Sequence, residues 1–225
     1  MLKIILLLSF YFIILANLCA QKLAHLYFNQ LAKIEPILYD YSYNKKNKKV
    51  INKTNQQQLD TEIDPQLNYI AFEEWGADNA QTFIKIVALR NKTNQAIYAV
   101  LKHSFSDIQA QAVICFWRLE NKQWAQVTAE LLPYYENLQV IDYQDCAPNI
   151  KREAKSFPLC FELDNAQLLL RYKADMEAAN AFCIYQKAED NTGGEIPVCA
   201  VLNCANFYLV EWVFDPLICK FERLK

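Results

Sequence analysis

The sequence predicts a mainly β (or α+β) protein: antiparallel sheets or a sandwich of about eight strands, one N-terminal helix, and disulfide support. Three observations predict it. From residue 67 onward, short apolar runs rich in Val, Ile, Tyr, Phe and Trp alternate with polar turns. The only long stripe of helical period precedes residue 43. Seven of the eight cysteines follow what reads as an export leader, and oxidising compartments favour disulfides.

The elements follow in chain order. Residues 1–20 read as a signal peptide: Lys3 supplies the positive start, Ile4 to Leu15 is apolar, and small residues follow up to Ala20. The run is about a dozen residues, short of the ~20 that a spanning helix needs. Cleavage after Ala20 leaves Gln21 as the new terminus; cleavage after Ala16 is the alternative and would keep Cys19. Leu18 fits poorly before an acylated Cys19. The expected location is secreted or periplasmic, with no membrane-spanning segment in the mature chain.

Residues 21–43 carry Leu23, Tyr27, Leu31, Ile34, Leu38 and Tyr41 at spacings of three and four, which predicts a helix packing its apolar face on the body. Pro36 breaks or kinks it near Glu35. Residues 44–58 hold five Lys and no acid and read as a polar basic linker. Residues 59–225 read as the β-rich domain, divisible into halves 59–143 and 158–225. This domain carries eight more acidic than basic side chains, against a net charge of -2 for the whole chain.

Within the domain, LNYIAF from Leu67 is a strand. Thr82 to Arg90 and Ala96 to His103 flank a polar loop and predict a hairpin. Ala110 to Leu119 and Trp124 to Thr128 predict a second, with Val113, Cys115, Trp117 and Leu119 on one face. Thr128 to Pro133 reads as one helical turn. Further strands are predicted within residues 137–143, Leu159 to Leu163, Gln167 to Lys173, Ala181 to Lys187, Asn206 to Phe214 and Leu217 to Leu224. Lys173 to Asn180 reads as a short helix or a long turn, and Glu189 to Pro197 as a loop.

The segment ICFWRLENKQWAQVTAELLP and the closing FYLVEW and CKFERLK resemble small uncharacterised secreted or periplasmic bacterial β-rich proteins. The resemblance implies a fold class and a location, and no activity.

Cleavage after Ala20 leaves seven disulfide candidates: Cys115, Cys146, Cys160, Cys183, Cys199, Cys204 and Cys219. The number is odd, so one thiol stays free or pairs between chains. Cys199 and Cys204 could close a small loop on each other.

Several chemistries are disfavoured. The net charge excludes a strongly basic nucleic-acid binder, and three glycines nearly exclude phosphate loops. There is no G-x-S-x-G and no C-x-x-C, and only His25 and His103 could add imidazole ligands. No catalytic, cofactor-binding or metal-ligating set is therefore predicted. A thiol acting with His103 would depend on a spatial pairing that the sequence does not display. His103, Ser104 and Asp107 lie too close in sequence to form a triad. Glu73 and Glu74 point to opposite faces of a strand. The Asp190–Glu195 segment resembles a calcium loop in composition only. Trp75, Trp117, Trp124 and Trp212 are expected mainly in the core. The expected function is a non-enzymatic protein-binding module, inhibitor- or immunity-like, with an unidentified protein partner. The alternatives are a secreted hydrolase with an unrecognised site and a structural envelope protein.

Overall fold

The computed structural model describes residues 27–66, 68–76, 80–90, 92, 95–105, 110–132, 138–153, 157–164, 166–189 and 197–224. The predicted leader, His25, Asp107 and the predicted loop over 190–196 lie outside the described residues.

The chain is mainly β, as the alternating runs predict. Its first half is one antiparallel meander: β1 (Tyr41–Asn44), β2 (Lys49–Asn52), β3 (Gln58–Asp64), β4 (Tyr69–Trp75), β5 (Gln81–Arg90), β6 (Ala96–Phe105), β7 (Ala110–Glu120) and β8 (Gln123–Gln126), each bonded to the next. Both predicted hairpins are present, as β5–β6 and β7–β8. A helical turn, α1 (Thr128–Leu131), follows; the Thr128 hydroxyl accepts from the Phe116 N–H at 2.8 Å and ties the turn to β7. Next come β9 (Ile141–Asp142), α2 (Pro148–Glu153), β10 (Leu159–Asp164), β11 (Leu169–Ala174), α3 (Met176–Glu189), α4 (Pro197–Cys204), β12 (Asn206–Phe207), β13 (Val210–Asp215) and β14 (Lys220–Arg223). The second sheet runs β10-β11-β13-β14, and β9 pairs with β12.

Both faces of the meander are covered, because period-2 alternation sends neighbouring residues to opposite sides. On one face Ile84, Ile86 and Val100 pack with Tyr27, Leu31 and Leu38 of the N-terminal segment. On the other, Val87, Leu101, Ile114 and Phe116 pack with Phe161, Leu170 and Phe214 of the second sheet.

Three expectations need correction. The N-terminal helix does not run on towards residue 43. Residues 27–29 are helical, but the chain then proceeds through two 3-10 turns, Leu31–Lys33 and Pro36–Leu38, and enters β1 at Tyr41. Pro36 cannot continue an α-helix, and the Glu35 carboxylate instead accepts from the Ile37 N–H at 3.0 Å. Residues 44–58 are not a separate linker. They contain β2 and the start of β3, with Val50 fully buried and Lys49 paired to Asp60 at 2.8 Å. Residues 181–187 are not a strand but the body of α3, in which Ala179 and Cys183 are buried one turn apart.

The cysteines differ in part from expectation. Disulfides join Cys146 to Cys204 and Cys183 to Cys199, with Cα separations of 5.0 and 5.5 Å. Cys199 and Cys204 therefore do not bond to each other: they lie on one helix, α4, and each bonds a different partner. Together the bridges fasten α4 to α3 and to the segment before α2. Among the described residues Cys115, Cys160 and Cys219 are free thiols.

Candidate functional site

A cleft of about 700 Å³ opens where one end of the meander faces β10, β11 and the start of α3. Strand register builds its first wall. Glu73, Phe83 and His103 are direct cross-strand partners on β4, β5 and β6, so they form one row on one face. The next row holds Trp75, Gln81 and Phe105. Trp75 is 60% exposed at the rim, an unusual place for a side chain with so much apolar area.

The opposite wall comes from the second sheet. Cys160 pairs with Lys173 across β10 and β11, and the Lys173 ammonium bonds the Glu162 carboxylate at 2.7 Å. Asp175 follows β11 and caps α3. Its Oδ1 accepts from the Ala178 N–H at 3.0 Å, its carbonyl accepts from the Ala179 N–H at 3.0 Å, and its own N–H donates to Pro158 O at 2.9 Å. The residue is thus fixed by two backbone bonds and one side-chain bond.

His103, Cys160 and Asp175 meet on the floor, with one ligand atom of each within 4.8 Å of the others. The His103 ring stacks on Phe83, with centroids 4.7 Å apart. Cys160 is only 3% exposed. Burial pulls the imidazole below its usual value, while the charges of Asp175, Glu162 and Glu73 oppose that pull. Burial first, then Asp175 and Glu162, pushes the Cys160 thiol up to about 12, with Lys173 acting the other way. Both shifts favour the uncharged forms, a neutral imidazole and a protonated thiol, and a buried thiol with a raised pKa carries little thiolate of its own.

A second cavity, about 520 Å³, lies on the other face of the meander, against the N-terminal segment. Glu35 is 2% exposed there and accepts a 2.6 Å hydrogen bond from the Trp117 indole N–H. Burial and the nearby Glu35 charge push the Cys115 thiol up to about 12. These polar groups satisfy one another.

The residues singled out from sequence are distributed as follows. Glu73 and Glu74 do face opposite ways: Glu73 lines the cleft, and Glu74 accepts from the Tyr41 hydroxyl at 2.7 Å and from the Asn52 amide. Trp212 is buried and Trp124 packs edge-on against Tyr98, while Trp75 stands out at the cleft. His103 and Ser104 both reach the cleft, and the carboxylate beside His103 is Asp175. The cluster of His103, Cys160 and Asp175 was not legible as a set, because it forms only when the two sheets meet.

No family model matches the chain, and no curated protein matches it. Among solved structures, a domain of an uncharacterized protein from Porphyromonas gingivalis W83 overlaps 74% of this chain and 75% of its own at 13% identity, with a TM-score of 0.45. That similarity is too low to carry an argument.

Proposed function

We propose that this is an exported, non-enzymatic protein-binding module, inhibitor- or immunity-like, whose inter-sheet cleft receives a basic segment of a partner protein. The observation that carries the reading is the cleft's composition. An exposed Trp75 shares the cleft lining with Glu73, Glu162, Asp175 and Glu177, and Lys173, the one Lys or Arg among the described lining residues, is already bonded to Glu162. An aromatic surface ringed by carboxylates complements an Arg or Lys side chain, through stacking and charge together. The acidic body would steer a basic partner towards it. Two disulfides fit an extracellular or periplasmic location, and no helix among the described residues is long and apolar enough to cross a membrane. Residues 1–20 supply the export signal in this reading.

The hydrolase alternative would make Cys160 the nucleophile. At 3% exposure Cys160 offers an incoming substrate little access, which argues against it.

The test is calorimetric titration with Arg- and Lys-rich peptides and with acidic peptides of equal length. Basic peptides are expected to bind, with affinity falling as salt rises. The double variant W75A/E177Q is expected to bind about thirtyfold more weakly, since each of the two lost contacts is worth about 1 kcal/mol. Equal binding of acidic and basic peptides, or an unchanged double variant, overturns the proposal.

A further inference from the structure

We infer that His103, Cys160 and Asp175 form a site for one divalent metal ion, of which zinc is the best match. The inference goes beyond the partner-binding reading and does not depend on it. An imidazole, a thiol and a carboxylate with ligand atoms within 4.8 Å of one another make a mixed N, S and O donor set. That set suits a borderline-soft ion, whereas calcium and magnesium prefer oxygen alone. Zinc bonds of about 2.0–2.3 Å at tetrahedral angles place ligand atoms about 3.5 Å apart. Tightening by about 1 Å completes the shell, a shift within reach of side-chain rotation at Cys160 and Asp175.

The surroundings favour a cation. Glu73, Glu162 and Glu177 line the same cleft, against one Lys or Arg among the described lining residues, Lys173. The α3 N-terminus, whose partial positive charge opposes a cation, is already covered by the capping oxygen Oδ1 of Asp175. The ligands come from β6, from β10 and from the residue that starts α3, so the ion would cross-link the two sheets. Three protein ligands leave a fourth position, which faces the cleft. On binding, the Cys160 thiol gives up its proton to solvent as the sulfur–metal bond forms, with no change of oxidation state.

The test uses the full exported protein with its disulfides intact, stripped with a chelator and titrated with Co²⁺ and, separately, Zn²⁺. The expected result is one equivalent of Co²⁺ bound with a sulfur-to-cobalt charge-transfer band, displaced by Zn²⁺, and a Tm raised by Zn²⁺. C160S should lose the band, while C115S and C219S should keep it. D175N serves where C160S fails to fold: Asn caps a helix as well as Asp, so this variant should fold while binding Zn²⁺ at least about tenfold more weakly, the scale seen when metal-site groups are removed. Absence of the charge-transfer band in the folded wild type overturns the inference. So does a band that survives in C160S, or unchanged Zn²⁺ affinity in D175N.

Discussion

Asn121 and Lys122 join β7 to β8 with φ of 48° and 66°, both in the left-handed region. A two-residue loop of this kind matches the twist of its strands, and Asn tolerates the first position well. Lys at the second position adopts it at a cost that glycine avoids. K122G is therefore expected to stabilise the protein by about 0.5–1 kcal/mol, read from the urea midpoint at unchanged slope. A destabilised variant would mean that the glycine's extra freedom in the unfolded chain outweighs the relieved strain. The thiol of Cys115 offers a second measurement at this scale. Its pKa is pushed up to about 12 by burial and by Glu35, from an ordinary 9.0. A raised pKa depletes the thiolate at neutral pH, so alkylation of Cys115 at pH 8 should run about a thousandfold slower than for an ordinary thiol. Its rate should still climb tenfold per pH unit past pH 9, where an ordinary thiol levels off. A plateau near pH 9 by peptide mass mapping would contradict the assigned environment.

Among elements, the hairpins were the most legible. Alternation in TFIKIVALR and AIYAVLKH survives because each strand sends one set of residues to each core. Legibility failed where composition and context disagreed. AFCIYQK has aromatic and β-branched residues suited to a strand, yet it lies in α3, where Cys183 bonds Cys199 of the neighbouring helix. Residues 44–58 look solvated because only alternate positions, Val50 and Asn52 among them, are buried, and the rest of a narrow edge hairpin faces water. In PVCAVLNC the two cysteines suggested a loop, but a helix directs them to separate partners. The candidate site was least legible of all. His103, Cys160 and Asp175 belong to three elements, and their proximity is a property of packing, not of spacing. The two bridges also allow a test at this scale. In the chain-entropy account, closing the 58-residue separation between Cys146 and Cys204 is worth about 4 kcal/mol, and the 16-residue one about 3 kcal/mol. C146S/C204S is therefore expected to lose more stability than C183S/C199S in denaturant titrations, and the reverse order would show that native-state packing, not loop entropy, dominates.

The whole molecule divides its labour between its two sheets. The meander is bonded strictly in chain order and carries an apolar layer on each face, so it takes part in both cores. The second sheet, with its helices, closes one of those faces and at one end stops short, which leaves the cleft. The site therefore sits at a seam: residues of the meander supply the aromatic row and His103, and the later half supplies Cys160, Asp175 and most of the charge.

Strand order also has a temporal side. A chain that emerges N-terminus first can pair β1 to β8 as they appear, because each strand waits only for its neighbour. Such low-separation contacts form early and quickly. Cys146, by contrast, cannot meet Cys204 until nearly the whole chain is out. The helical layer and the second sheet therefore set after the meander, and through that interval Cys146, Cys160 and Cys183 are all within reach of wrong partners. Correct pairing then depends on a finished meander against which the second half can be templated.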